Sequence, residues 1–454
     1  MNWLRQPAYL PETDDPLKYR HLRIQVFIGA FLGYAGFYLV RKNFSMAMPF
    51  LIGFGFEKGE LSVVLAMNAA AYAVSRLLMG GVSDRSDSRK FLPLGLLCAA
   101  IAMAFMIVPI QLFGAERKGL SITLMCVLNF AVGWFNGMGY PACTRIVTHW
   151  FSIRERGTMM AIWNCSHNIG GALIGPMAVY GALWFGNWFY GADETHYYLI
   201  GTFAFPAAVA SLVAVIVYCL VRDTPQSQGL CSIEKFKNDY PPTYDASHEK
   251  ALAWKEIMFT YILKNKLLWC IALADAFVFM VRYGCLDWAP AYLSEVHHYD
   301  IRKAGWAYFA YEFAAIPGTL LCGWLADRFF ARKRSALSIG YMVACAVAVV
   351  VYWQASSIAL INFSLVMIGF FVYGPIMLLP VQSMDLVPKN ASGAAVGQIG
   401  FTTYLFGTAI LANVVLGYIV QFFGWNASFW AVLLACFVTI GLLIPSVIKE
   451  RLQN

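Results

Sequence analysis

Twelve apolar runs, each long enough to cross a bilayer, constrain this chain more than any other feature. A crossing helix needs roughly 20 predominantly apolar residues, and such runs lie at about 24–51, 60–82, 91–113, 119–142, 157–181, 197–221, 267–293, 303–326, 336–354, 358–382, 393–421 and 427–448. In hydrocarbon the backbone must satisfy its own polar groups, so each run is expected to be α-helical. The composition agrees, with 60% of residues in the AVILMFWYC set and 13% charged, against about a quarter charged in soluble proteins. Little chain remains for a large soluble domain. The first 22 residues carry charges and prolines without an apolar core, so no cleavable signal peptide is expected and the first run itself directs the chain to the membrane. The 11 cysteines form no C-x-x-C and no Cys/His cluster, and read as reduced packing residues.

Between the sixth and seventh runs lies a polar stretch, 222–266, with prolines and charges that hydrocarbon cannot hold. The expected organisation is therefore a six-helix half over 1–222, a linker over 223–266 and a second six-helix half over 267–454. The formal net charge of +8 reads as topology and not as a nucleic-acid footprint. With both termini on one side, the opposite side holds only Lys58, Arg117, Lys118, Arg302 and Lys303, while Arg41, Lys42, Arg76, Arg145 and Arg282 lie in or near runs. The rest of the 33 Lys and Arg fall with the termini and the linker, which makes that side cytoplasmic.

The second run ends in GGVSDRSDSRK and the eighth in GWLADRFFARKR, and about 40 residues upstream of each stands an arginine inside an apolar run, Arg41 and Arg282. The chain thus reads as a duplication. Two parallel six-helix halves joined by a cytoplasmic linker resemble the major facilitator architecture, in which the site lies near the midplane between the halves. Two arginines at bilayer depth would cost roughly 5 to 7 kcal/mol together unless they face a cavity or a partner. An intramembrane ion pair, or a position nearer the interface, would explain either one alone. Their matched placement favours a shared chamber, where two guanidiniums best accept a dianion with bidentate oxygen edges, such as phosphate or a phosphate monoester. Asp275, Asp287 and Glu312 are the candidate counter-charges in the runs. Lys42 with Asp287 or Glu312 reads as a charge relay, which leaves Arg41 and Arg282 for substrate.

His167, in WNCSHNIGG on the fifth run, either bonds a neighbouring helix or adds a titratable donor to a phosphate site. Tyr34 and Tyr38 lie one turn apart on the face that leads to Arg41. Asp84, Arg85, Asp327 and Arg328, in the two matched turns, are candidates for a gate made in one conformation and broken in another, or else ordinary interfacial charges. The N-x-S matches at Asn390 and Asn426 have no supporting context.

The motifs YLVRKNFSMAMPF, SDRSDSRKFLP, WNCSHNIGG, RDTPQSQGL, YILKNKLLW, VRYGCLDWAPAYL, YEFAAIPGTLLCGWLADR and FVYGPIML resemble the bacterial organophosphate:phosphate antiporter family, most of all its glycerol-3-phosphate transporters. The similarity runs from about residue 18 to about residue 430. The resemblance implies an all-α membrane antiporter of the bacterial inner membrane that exchanges a small organophosphate, sn-glycerol 3-phosphate first among them, for inorganic phosphate. It implies that Arg41 and Arg282 bind the phosphoryl group, that His167 assists, and that Tyr34, Tyr38 and Tyr373 form an aromatic wall. The family's usual pocket lysine falls on Arg76, and a tyrosine common three positions before the second arginine is Phe279 here, so the organic half of the substrate is the less defined half. No cofactor, no metal and no enzyme chemistry is expected, and neither is a nucleic-acid partner. The lipid bilayer is the surrounding medium and a monomer the expected form. Rival readings are a hexose-6-phosphate or phosphoglycerate antiporter, and a membrane sugar-phosphate sensor of the same fold.

Overall fold

A computed structural model of the chain describes residues 4–13, 15–114, 116–189, 194–239, 259, 262–330, 333–387 and 392–452. The linker portion 240–258 and the Asn390 match lie outside the described residues. Among those described, all regular structure is helical apart from one isolated bridge between Arg5 and Ser86. Helix starts follow local capping chemistry. Asp15 accepts from the Lys18 N–H at the first span, and Asn265, Asp300 and Ser357 do the same for Leu268, Lys303 and Leu360 at the seventh, eighth and tenth. The second span opens with a reciprocal capping box between Glu57 and Glu60.

Ten helical stretches are long and apolar enough to cross a membrane on those grounds alone. The last of them, Ala394–Leu452, has 59 residues, which at 1.5 Å per residue is about three times the hydrocarbon thickness. Gly424, at φ 77°, divides it into two crossings, and only glycine adopts that conformation at no steric cost. The fifth span, Ile153–Phe189, is a 37-residue helix whose polar Asn164, His167 and Asn168 lower its apolar character. Twelve membrane helices result among the described residues, the number read from the sequence.

Three spans are broken near mid-course. The first runs Pro16–Leu39 and resumes as Asn43–Gly53, so Arg41 and Lys42 sit on unwound backbone. The fourth breaks between Lys118–Asn136 and Gly139–Trp150, and the seventh between Lys266–Leu286 and Ala289–His297. Each resumed helix carries a proline, Pro49, Pro141 or Pro290. In the second and third cases it falls within the first turn, where the missing N–H has no intrahelical partner to lose. Irregular backbone at this depth is tolerated where it lines a cavity or is buried in protein. The breaks in spans one and seven fall at positions that the duplication read from the sequence would pair, whereas the tenth span, which it would pair with the fourth, is one uninterrupted helix, Ile358–Met384.

The first and last six spans meet through small residues on one side. A Cβ at Gly175 of the fifth span would collide with the Gly305 backbone of the eighth, and one at Gly305 would lie 3.0 Å from Val179 Cγ2. Small-on-small contact of this kind lets membrane helices approach closely. Gly175→Val is expected to destabilise by about 1 to 3 kcal/mol through overpacking, read as a lower midpoint of thermal unfolding in detergent. An unchanged midpoint would show that the two helices part easily there.

The described beginning of the linker is docked. Phe236 stacks on Tyr19 at 4.0 Å between ring centroids, and Lys235 pairs with Glu12 at 2.6 Å. The N-terminal strap contributes as well, since the Leu10 and Thr13 N–H groups donate to the carbonyls of Gln226 and Gly229.

Candidate functional site

A cavity of about 290 Å³ lies between the first and last six spans. Tyr34, Tyr38, Arg76, Tyr140 and His167 line it from the first six, and Asp275, Arg282, Tyr373, Thr403 and Tyr404 from the last six. It extends past Met384 and Val396, where the tenth span ends and the eleventh begins, and therefore toward the side on which both termini lie. On the other side the molecule is closed. Lys58 meets Glu295 at 2.6 Å, and Trp425 Nε1 donates to the same carboxylate. The Gly59 N–H donates to Gln421 Oε1, whose amide nitrogen donates to Glu57.

Arg282 lines the cavity and is 2% exposed. Its guanidinium lies 4.4 Å from the Tyr373 ring centroid and 4.6 Å from that of Tyr283. Glu312 Oε1 stands 3.5 Å from Nη2, too long and too poorly aligned for a hydrogen bond, and Arg282 Nε and Nη2 have no hydrogen-bond partner. Tyr373 donates to the other oxygen of Glu312 at 2.6 Å. This corrects the expectation that both arginines are free of carboxylates and that Glu312 is an alternative mate for Lys42. Glu312 lies on the eighth span against Arg282, whereas Lys42 pairs with Asp287 at 2.6 Å, because both of those stand at helix breaks.

Arg41 is buried beside the cavity and is not among its lining residues. Its Nη1 donates to the Tyr38 hydroxyl at 3.0 Å, and its guanidinium sits 3.8 Å from the centroid of Tyr72 and 5.1 Å from that of Tyr404. Tyr38 and Tyr404 thus stand between Arg41 and the open space, on the closed side of the chamber. A run of rings joins the two arginines: Tyr38 to His167 at 5.2 Å, His167 to Tyr373 at 6.2 Å, and Tyr373 to Arg282. His167 Nδ1 faces the Asn164 carbonyl of its own helix, which leaves Nε2 for the cavity. Arg76 lies 4.0 Å over the Tyr140 ring, a cation–π contact that holds a charged fork in the wall without an ion pair among the described residues.

Asp84, Arg85, Asp327 and Arg328 are exposed, and none forms an ion pair among the described residues. The ties at that end are made by other residues. Arg145 donates to the Ser83 and Ser86 carbonyls and to Asp223 at 3.0 Å, while Arg334 pairs with Asp385 at 2.6 Å. Asp223 also accepts the Ser88 N–H at the start of the third span.

The description Major Facilitator Superfamily matches residues 27–412. A glycerol-3-phosphate transporter of Bacillus subtilis (strain 168) is 44% identical over 445 residues, covering 97% of this chain and 96% of that protein. The chain belongs to the major facilitator superfamily, in its organophosphate:phosphate antiporter family. A glycerol-3-phosphate transporter of Haemophilus influenzae is 43% identical over 446 residues, covering 94% of this chain and 91% of its own length. Among solved structures, the inward-facing, unoccupied bacterial homologue of the human lysosomal transporter Spinster superposes with a TM-score of 0.68 at 17% identity, over 96% of this chain and 94% of that one. That likeness is one of fold. This family member is a multi-pass membrane transport protein and not an enzyme.

Sequence reasoning missed Tyr140, Thr403 and Tyr404 in the wall of the transporter's chamber, and Tyr72 behind it against Arg41. Tyr72 carries a signal, since it lies one helical turn before Arg76 in the second span and so faces the same way. The other three sit in apolar runs with nothing local to set them apart.

Proposed function

We propose that this transporter exchanges sn-glycerol 3-phosphate for inorganic phosphate by alternating access, as a monomer in a bacterial inner membrane with both termini cytoplasmic. The observation that carries the proposal is the chamber itself: a space between the two sets of helices with Arg282 in its wall and Arg41 one tyrosine layer behind it. A phosphate dianion placed there gains charge-assisted bonds from the Arg282 donors that lack partners. It also competes with Glu312 for Arg282 and draws Arg41 past Tyr38. The halves, 1–222 and 267–454, then close on the anion, and the closed state lowers the barrier to rocking about the linker 223–266. Arg76, His167, Tyr34, Tyr38 and Tyr373 position the ester, and Asp84, Arg85, Asp327 and Arg328 engage in the opposite conformation. Without an anion, repulsion between the guanidiniums disfavours closure, which makes transport an exchange and not a leak.

Purified protein in liposomes loaded with labelled phosphate tests this reading. Rapid efflux is expected only when phosphate or an organophosphate is present outside, and sn-glycerol 3-phosphate should drive it best among glycerol, hexose and glycerate esters. Equally fast efflux into ester-free, phosphate-free buffer would rule out obligatory exchange.

A further inference from the structure

The seventh span places a second ionisable side chain in the chamber, an acid where Arg282 is a base. Asp275 lies seven residues before Arg282 on the same helix, Lys266–Leu286, and both side chains line the cavity. Seven residues are two turns, so the two Cα positions share one helix face and are separated by about 10 Å along the axis. A long arginine side chain on a helix leans toward the N-terminus, here toward Asp275, and narrows the gap between the two charged ends. Asp275 is 2% exposed. Its Oδ2 accepts the Thr403 hydroxyl at 2.6 Å, while Oδ1 has no hydrogen-bond partner, and Asp275 makes no ion pair among the described residues.

A buried carboxylate oxygen without a donor is costly, and the cost is relieved when a ligand brings an O–H. The geometry points to Asp275 as a specificity-determining residue, whose Oδ1 accepts a hydroxyl at the end of the substrate remote from the phosphate and repels a second anionic group there. This rests on the reading of the cavity as an organophosphate site, and it narrows the substrate class to phosphate esters with an uncharged polyol end. Glycerol 3-phosphate fits that description. Glycerate 3-phosphate, in which a carboxylate replaces the terminal hydroxymethyl, would set like charges against each other in a site of low dielectric. The bland alternative is that Asp275 serves only to fasten the seventh span to the eleventh through Thr403.

The two esters form a minimal pair for the test. Each is titrated as an inhibitor of labelled phosphate self-exchange in liposomes that contain the full chain. In wild type, glycerate 3-phosphate is expected to inhibit at least about a hundredfold more weakly than sn-glycerol 3-phosphate, since the site's polar groups are matched to a hydroxyl. In Asp275→Asn and Asp275→Ser that ratio should shrink at least about tenfold, whatever the absolute rate. Variants too slow to assay are read instead by the concentration of each ester that raises the unfolding temperature in detergent. Equal inhibition by the two esters in wild type, or an unchanged ratio in both variants, overturns the role and supports the fastening alternative. Failure of every ester to inhibit wild-type phosphate exchange would overturn the organophosphate reading and this role with it.

Discussion

Arg282→Lys is expected to lower phosphate exchange at least about a hundredfold while leaving the protein folded, because a lysine keeps the charge but loses the planar fork that grips two phosphate oxygens at once. Arg282 lines the chamber, with Nε and Nη2 unbonded and Glu312 Oε1 at 3.5 Å. An ammonium is a compact point charge on a flexible stem, and it would settle against Glu312 instead of reaching for ligand. Arg41→Lys should give a loss of the same order, since Arg41 must leave the Tyr38 hydroxyl and the Tyr72 face to meet the anion. The measurement is initial exchange rate in liposomes, together with the unfolding midpoint in detergent. Wild-type exchange in both variants would remove the two arginines from the site.

Lys42→Met should produce the largest loss of stability. Asp287 is fully buried, and its one ionic partner among the described residues is Lys42 at 2.6 Å. Removing one member of a buried pair leaves an uncompensated charge, at a cost of about 3 to 5 kcal/mol. The pair also spans the first and seventh helices on the closed side of the chamber, so its loss weakens that closure. The double variant Lys42→Met with Asp287→Asn is expected to recover most of the stability, because a neutral amide needs no cation. Thermal unfolding of wild type, both single variants and the double variant measures the coupling. A double variant no more stable than Lys42→Met alone would show that the lysine matters for packing and not for its charge.

Much of the architecture was legible because the bilayer imposes a simple rule: long apolar runs become helices, and charges inside them need a reason. That rule located the twelve helices, the duplicated arginines and the Lys42–Asp287 pair as one of two options. It did not reveal that Arg41 and Lys42 stand on unwound backbone, since the run through them is uninterrupted and the nearest proline, Pro49, falls seven residues beyond Lys42. The approach of Glu312 to Arg282 was not foreseen, because spacing along one helix says nothing about which face of a distant helix meets it. The ties at the termini side were missed for a related reason. Arg145 finds its carboxylate at Asp223, across 78 residues of chain, and the conspicuous Asp-Arg turns drew attention to residues that are solvated in this conformation. Tyr404 was invisible, one more aromatic in a run of apolar residues, until folding brought it against Arg41.

The bolt on the side away from the termini is made of Lys58, Glu295, Gln421 and Trp425, and the Lys58 and Glu295 side chains keep 22% and 30% of their surface exposed. Solvent can replace such partners readily, and a half-hydrated ion pair of this kind contributes about 0 to 1 kcal/mol. Beyond the buried Lys42–Asp287 pair, the closed side is thus fastened at its rim by contacts that water replaces at little cost. Under the proposed exchange the solute gradients alone set the direction of net flow, and a bolt this weak lowers the cost of passing from one orientation to the other.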